Sequence, residues 1–451
     1  MKYELDMTSG NLFKKIILYT IPILLTSLLQ ILYNACDVMV VGKFAGEESL
    51  AAVGSTGSLV GLVVGSFMGL SIGASVAYAR SIGGKNPERA NRVVHTAVIV
   101  SCIASVILTI VGIVFAKDLL ILMDSPENVI DKAALYVRIY FGGTFFNLLY
   151  NFASAVVRAN GDTKRPLYIL TISGVINVLL NLLFVIVFDL HVIGVAVATV
   201  VSQAFSAIAV MYLLYKEKGP LNFSFKKLKV DKDALKEIIS VGLPSGIQSS
   251  LFSISNVVVQ TAINGFGSTI MAANAAAGNL ESFVYVGMNS VYQSTMNFTS
   301  QNYGAKKIKN IKRVLLYSVL LVATIGLVMG TLFYLCAPWL LQLYTSEPEV
   351  IEYAIIRMGF VCLFYASFGV MDVMVGALRG VGRSLVPMVV SILGICALRV
   401  VWINTIFKTH KTLEMLYISY PISWFVTLFV LIVCYLIVYP RIKRELAIVE
   451  Q

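Results

Sequence analysis

The chain has 451 residues, of which 58% are hydrophobic and 13% are charged, and its mean hydropathy is +0.84. Soluble domains are closer to half apolar and a quarter charged, so this composition excludes an ordinary soluble protein. The formal net charge of +11 could suggest a nucleic-acid-binding protein, but the distribution of the charge argues against that class.

Long apolar runs recur along the whole chain, and each is able to cross a bilayer core of about 30 Å. We predict an all-α polytopic membrane protein with twelve transmembrane helices. In chain order they cover residues 14–43, 47–83, 92–116, 128–160, 167–188, 191–215, 236–263, 269–303, 313–341, 350–379, 385–407 and 413–440. Because the number of crossings is even, both termini lie on the same side of the membrane.

The basic residues fall mainly on one side of these predicted spans. Of the 35 lysines and arginines, 27 lie on the side of the termini and five lie in the opposite loops. This asymmetry is the positive-inside pattern, and it places both termini in the cytoplasm. The sequence therefore predicts a multi-pass protein of the plasma (inner) membrane, with membrane lipids and not nucleic acid as its surroundings.

A set of landmarks occurs twice in the chain. Arg158, Gly161 and Pro166 lie in the run VRANGDTKRP, and the Arg, Gly and Pro of LRGVGRSLVP follow 221 residues later. Residues 116–133 match residues 337–354 at the same offset. Duplicated halves are typical of transporters, and here they predict two parallel six-helix lobes. The predicted division is a cytoplasmic N-terminus 1–13, an N-lobe 14–215, a cytoplasmic linker 216–235, a C-lobe 236–440 and a cytoplasmic C-terminus 441–451.

Prolines interrupt the first helix of each predicted lobe. Pro22 and Pro244 stand in the similar contexts TIP and GLP. A proline inside a helix removes a backbone hydrogen bond and kinks the helix, so both positions are candidate hinges of a moving gate, with a fixed kink as the alternative. The second span also has a glycine at every fourth position from Gly57 to Gly73, which predicts close approach of another helix.

Asp37 interrupts the first span in the run LYNACDVMVVG. Because a charge at a helix centre costs about 2.5–3.5 kcal/mol on the insertion scale, an acid there predicts function. Burial favours the neutral acid, which allows proton uptake, and neutral oxygens around the acid could instead complete a Na+ site. Asn177 and Asn181, at i and i+4 on the fifth span, and Thr199 on the sixth could supply those oxygens. We predict an ion-coupling site from these four residues, with simple contacts between helices as the alternative.

The C-terminal half offers further polar residues within its spans. Glu281 and Asp372 are acids at membrane depth, and Asn151 occupies the position equivalent to Asp372 at the 221-residue offset. With Arg399 they form a predicted substrate site or second cation site. Arg399 is expected to pair with Asp372 or Glu281, because a lone intramembrane arginine is costly. Arg357 is expected to extend toward the membrane interface.

Signals of catalysis are absent from the sequence. The three histidines are scattered and form no zinc motif, and no phosphate-binding loop is present. The six cysteines have no metal-binding spacing. We therefore expect neither an enzyme nor a cofactor, and regard Na+ or H+ as a transported coupling ion.

Several of these features together resemble the multidrug and toxic compound extrusion (MATE) family over nearly the whole chain. They are Pro22 with Asp37 fifteen residues later, the run YNACDVMVVGKFAGEESLAAVG, the duplicated RANGDTKRP and RGVGRSLVP loops, and ATVVSQ at 198–203. The resemblance implies a V-shaped pair of six-helix lobes around a cavity with alternating access. It also implies a secondary active antiporter that exports small organic, often cationic, compounds or drugs in exchange for Na+ or H+. We expect a monomer.

Position by position, Asp37, Asn177 and Thr199 match polar residues of the family's N-lobe, and Asp372 resembles the acid of its tenth helix. Two departures leave the coupling ion open. Asn181 stands where many members have an acid, and LFSIS at 251–255 lacks the glutamate that some members have in the seventh helix.

Three other classes remain as alternatives. A major-facilitator carrier also has six plus six spans, but the loop ARSIGGKNPERANR lacks that family's glycine–aspartate core. A lipid-linked oligosaccharide flippase of the same superfamily is a closer alternative. A non-transporting membrane scaffold would explain the packing glycines but not the costly intramembrane acids.

Overall fold

The computed structural model describes residues 4–45, 47–122 and 127–448. Parts of three sequence predictions lie outside the described residues: 1–3 and 449–451 of the termini, and 123–126 of the repeated stretch. Within the described ranges the chain is almost entirely helical and has no strand. The predicted all-α polytopic class is confirmed.

Eighteen α-helices make up the described chain. Those of the first half are α1 (Leu12–Val40), α2 (Glu47–Gly83), α3 (Pro87–Val114), α4 (Ala116–Leu122), α5 (Glu127–Gly142), α6 (Thr144–Ala159), α7 (Lys164–Leu182) and α8 (His191–Lys216). Those of the second half are α9 (Lys232–Asn264), α10 (Ser268–Gly304), α11 (Ile308–Leu335), α12 (Ala337–Leu341), α13 (Pro348–Val361), α14 (Tyr365–Gly380), α15 (Leu385–Ser391), α16 (Leu398–Trp402), α17 (Leu413–Tyr417) and α18 (Ser419–Ile448).

Short non-α turns extend or join several of these helices. Turns of the π type occupy Val41–Ala45, Leu183–Val187, Ile392–Ala397 and Ile403–Phe407, and 3-10 turns occupy Phe225–Lys227 and Cys362–Phe364. As a result, the predicted span 385–407 consists of α15 and α16 with a π turn after each.

Ten helical segments of the described chain are long and apolar enough to cross a membrane. The other two predicted spans are also helical. One is α5 followed by α6, interrupted at Gly143, and the other is α10, which is rich in Asn, Ser, Thr and Gln. The helices thus account for all twelve predicted spans.

The duplication seen in the sequence is present in the helices themselves. The helices α10, α11 and α14 begin and end 221 residues after α2, α3 and α6 respectively. The turns before α3 and α11 also match, because Lys85 and Lys306 both have left-handed φ angles, of 54° and 57°. The lysine itself is identical in the two turns, as is the glycine two residues earlier, Gly83 and Gly304.

The duplicated Arg–Gly–Pro loops form the same helix-ending turn. Gly161 and Gly382 have φ angles of +101° and +73°, a region that favours glycine because it has no Cβ. The backbone N–H of each glycine donates to the carbonyl of the arginine three residues earlier, at 2.8 Å in both loops. The repeated glycine is therefore required by the way in which α6 and α14 end.

The contacts divide the chain into two compact units. The first contains Met1–Asp6 with Leu25–Ser249, and the second contains Met7–Leu24 with Ser250–Gln451. The predicted lobes follow chain order, whereas in the structure the start of α1 packs with the second unit and the start of α9 packs with the first. In both helices the change of unit follows soon after the internal proline, Pro22 or Pro244.

The predicted linker 216–235 is docked on the first unit. The Asn91 side-chain amide of α3 donates to the carbonyls of Pro220 and Asn222, at 3.1 and 2.6 Å. Next to it, Phe223 is only 1% exposed and stacks on His95, with ring centroids 5.3 Å apart. The linker is therefore a packed part of this unit.

The glycine stripe of α2 is in contact with another helix over part of its length. A Cβ built on Gly69 would lie 2.2 Å from the Gly246 nitrogen of α9, and one on Gly73 would lie 2.1 Å from the Ile238 carbonyl oxygen. By contrast, a Cβ on Gly61 would have no neighbour within 4 Å. The close backbone approach predicted for the stripe thus occurs at its C-terminal end.

Gly73→Ala is expected to destabilise the protein by about 1–3 kcal/mol, because the new methyl group overlaps backbone that cannot rotate away. Gly61→Ala is the matched control, and it should be neutral or slightly stabilising because alanine favours helix over glycine. Thermal unfolding followed with a thiol-reactive dye measures both variants, since the chain has six cysteines. Equal midpoints for the two variants would contradict the proposed contact.

Candidate functional site

A polar cavity of about 350 Å³ lies within the first unit, among α1, α5, α6, α7 and α8. Asparagine, glutamine, serine, threonine and tyrosine side chains form most of its wall. Among the described residues that line it, Asp37 is the only one with a charge. The cavity therefore surrounds a single carboxylate with neutral hydrogen-bonding groups.

The α1 wall of this cavity is one face of the helix. Gln30, Asn34 and Asp37 recur at i, i+4 and i+7 and all line the cavity. Tyr33 fixes this face against α7, because its hydroxyl donates to the Thr171 carbonyl at 3.1 Å. The ring of Tyr33 fills the space beside Gly174, where a Cβ would lie 1.7 Å from Tyr33 Cζ.

Helix α7 presents two buried amides to Asp37. Asn181 is fully buried and Asn177 is 5% exposed. The Asn181 Nδ2 donates to the Asp37 carboxylate, and it also lies 3.3 Å from Asn177 Oδ1. On α8, the side chain of Thr199 interacts with Asp37 as well. The structure thus brings all four residues of the predicted ion-coupling site together.

The groups around Asp37 limit which ions the site could take. Asn181 Oδ1 is enclosed and has no hydrogen-bond partner in the described structure, so one more acceptor is present beside the carboxylate. No group of three or more His, Cys, Asp or Glu side chains suited to a metal occurs in the described ranges. One carboxylate with neutral oxygens matches the single charge of a proton or of Na+.

Asn151 lines this same cavity in the first unit, where its amide donates to the Asn147 carbonyl at 2.8 Å. The sequence analysis placed Asn151 in a substrate or second cation site with Asp372, Glu281 and Arg399, because its position in the repeat is equivalent to that of Asp372. Tyr140, Asn147 and Gln203 also line the cavity and were not predicted. Helical spacing could have identified most of them, because Gln30 and Asn34 precede Asp37 by seven and three residues, Asn147 precedes Asn151 by four, and Gln203 follows Thr199 by four.

In the second unit, Glu281 forms an ion pair with Arg357. The Arg357 Nε and Nη2 donate to the two carboxylate oxygens of Glu281, at 2.8 and 2.7 Å, and Nη1 donates to Asn274 Oδ1. Arg357 is 8% exposed, so the expectation that it extends to the interface is wrong. The ion pair with Glu281 of α10 stabilises the charge of Arg357 more than extension of its side chain toward the membrane interface would.

The other two predicted residues of this unit have different surroundings. Arg399 donates from Nε to Ser423 Oγ at 3.0 Å and stacks on Tyr420, and it forms no ion pair within the described chain. The expected pairing with Asp372 or Glu281 is therefore wrong, because Glu281 is already bound at both oxygens. Asp372, on α14, lies near Tyr285 and is influenced by the charge of Arg379.

Comparisons with known proteins give a consistent result. The MatE family model matches residues 22–183 and 244–403. The chain is 32% identical over 428 residues to "Probable multidrug resistance protein YoeA" of Bacillus subtilis, covering 93% of this chain and 92% of that protein. It is 23% identical to a "FAD transporter" of Shewanella oneidensis, covering 87% of each. A structure described as an outward-facing multidrug resistance MATE family transporter shares the fold, with a TM-score of 0.89, 24% identity and coverage of 96% of this chain and 97% of that one.

Proposed function

Because the chain belongs to the MatE family of multidrug efflux transporters, which are not enzymes, we propose that it is a secondary active antiporter exchanging organic compounds for Na+ or H+. The proposed cargo is small and organic, and often cationic. The observation that carries this proposal is the polar cavity of the first unit, in which Asp37 is the only charged residue among the described ones that line it.

Exchange follows when the coupling ion and the substrate compete for the same ionised carboxylate, that of Asp37. A proton or Na+ on Asp37 cancels the charge that would attract a cationic compound. Release of the ion restores that charge, and Asn181 then donates to it as in the structure. Ion-loaded and substrate-loaded states are thus mutually exclusive, which couples the two fluxes.

Conformational change would use the prolines of α1 and α9. Each helix changes unit soon after Pro22 or Pro244, and a helix is easiest to bend where proline has removed a backbone hydrogen bond. We assign these two prolines as hinges. Asp37 lies in α1 beyond the first hinge, so bending at Pro22 would alter its exposure.

The surroundings of the transporter follow from the charge distribution. We place it in the plasma (inner) membrane with both termini in the cytoplasm, because 27 of the 35 basic residues lie on that side of the spans. Membrane lipids and small organic substrates are its proposed partners, the coupling ion is its only inorganic requirement, and a monomer suffices for this mechanism.

Reconstituted liposomes test the proposal. A Na+ gradient and a pH gradient are imposed separately while the movement of a fluorescent organic cation, such as ethidium, is followed. Accumulation driven by one gradient, and abolished when that gradient is collapsed, is the expected result and identifies the ion. If ethidium moves under neither the Na+ gradient nor the pH gradient, the result would contradict antiport and favour the flippase or the scaffold.

A further inference from the structure

The second unit contains three buried arginines, Arg357, Arg379 and Arg399, and Arg399 forms no ion pair with a described acid. Arg357 has all three nitrogens bound, two of them to Glu281. Arg399 is 4% exposed, and its only protein partners in the described chain are Ser423 and Tyr420, both neutral. The positive charge of Arg399 therefore has no paired acid among the described residues of this unit.

The contacts of Arg399 leave one edge of its guanidinium unused. The Tyr420 ring covers one face, with the guanidinium carbon 4.2 Å from the ring centroid. Nε is bound to Ser423 Oγ, which in turn donates to the Tyr420 carbonyl at 2.7 Å. The terminal nitrogens Nη1 and Nη2 have no acceptor among the described residues, and neither is enclosed by protein atoms.

No described acid forms an ion pair with this edge, and Glu281 is already bound by Arg357. The ionisable groups that act on Arg399 most strongly are Tyr420 on α18, Cys396 in the π turn before α16, Arg357 on α13 and Tyr365 on α14. None is a carboxylate, and Arg357 repels Arg399. Because a guanidinium keeps its charge in proteins, this position favours an anion supplied from outside the chain.

The backbone around Arg399 is also unusual. The short helix α16 that carries it lies between two π turns, Ile392–Ala397 and Ile403–Phe407. Turns of this type occur mostly as single insertions in α-helices, and they are frequent at functional sites. With two of them within one span, the helical register on either side of Arg399 departs from that of a regular α-helix.

We propose that the free edge of Arg399 binds the carboxylate group of an organic solute. Two parallel N–H donors in a plane match the two oxygens of a carboxylate, and match a spherical halide less well. This inference rests on the proposed transport function in taking the solute as cargo. It adds compounds that carry a carboxylate to the proposed cargo.

Direct binding tests this site without any ion gradient, so failure of antiport and failure of this site are distinguishable. The purified full chain in detergent is titrated with dansylglycine, and with dansylglycinamide as the neutral analogue, in isethionate buffer. The variants are Arg399→Met, Arg399→Lys and, as a matched control, Arg138→Met, which removes an exposed arginine from α5. Thermal midpoints verify that each variant is folded.

Arg399→Met is expected to weaken dansylglycine binding at least about tenfold, since bonds to a charged group are lost. The affinity of Arg399→Lys for dansylglycine should lie between those of Arg399→Met and the wild type, because lysine keeps the charge without the two parallel N–H donors. Arg138→Met should bind dansylglycine as the wild type does. The amide should bind equally to all of them. Wild-type-like binding of dansylglycine by folded Arg399→Met, or equal losses for acid and amide, would overturn the proposal. So would stabilisation of the wild type by chloride but not by dansylglycine, which would identify a small inorganic anion as the ligand.

Discussion

Replacement of Asp37 by asparagine is expected to reduce gradient-driven export to the level of protein-free liposomes. An amide has nearly the same shape as the carboxylate, and its oxygen can still accept from Asn181, so packing between α1 and α7 is retained. It cannot take up a proton or neutralise Na+. Because bonds to a charged group are worth about 1.5–3 kcal/mol, cation binding should weaken about 10- to 100-fold.

The measurement is transport of ethidium in liposomes under the gradient that drives the wild type, normalised to the amount of reconstituted protein. Asp131→Asn is the matched control, because it removes an exposed acid of the same unit whose only described partner is Lys117. The control should export at the wild-type rate. Export at that rate by Asp37→Asn would show that the cavity carboxylate does not couple transport.

The residues of this candidate site could be named from the sequence because each stands out along its own helix. Asp37 is an acid within an apolar run, and Asn177 and Asn181 share one face of α7 by their spacing alone. The duplicated Arg–Gly–Pro loops likewise located the two halves, since a glycine is needed where the backbone turns left-handed. Local pattern and tertiary structure agree at these positions.

Pairings between helices could not be predicted in the same way. Glu281 had several candidate arginines in sequence, and the choice of Arg357 depends on α10 and α13 being neighbours. The assignment of Met7–Leu24 to the second unit depends on packing too, because nothing in an apolar helix identifies the unit that it contacts. Composition and periodicity determine which face of a helix is buried, but not the identity of the neighbouring helix.

The two halves of the repeat have consequently diverged in charge. Asn151 and Asp372 occupy equivalent positions, yet the first lines a cavity whose only described charge is Asp37, and the second lies under the influence of Arg379. The second unit also contains the pair of Glu281 with Arg357 and the uncompensated Arg399. Equivalent helices thus contribute different charges to the two units.

Arg357→Met is expected to destabilise the protein by about 3–5 kcal/mol, the usual effect of removing one partner from a buried ion pair. Glu281 would remain 4% exposed with neither of its two N–H donors. Arg399→Met is the matched control. It deletes the same side chain but leaves no acid without a partner, so the protein should be at least as stable as the wild type.

The double variant Arg357→Met/Glu281→Leu should recover most of the lost stability, because an apolar pair of similar volume is often neutral or stabilising relative to a buried ion pair. Asn274 Nδ2 would keep its bond to Gln260 Oε1, at 3.0 Å, but Asn274 Oδ1 would lose its Arg357 donor, so the recovery should be incomplete. The free energy of unfolding is measured in mixed detergent micelles for Arg357→Met, for Glu281→Leu and for the double variant. Compared with the wild type, these values give the coupling energy between the two side chains directly. Additive effects of the two substitutions on the free energy of unfolding would contradict the ion pair. Rescue by Glu281→Leu would show that the unpaired Glu281 charge, and not lost packing, causes the instability of Arg357→Met.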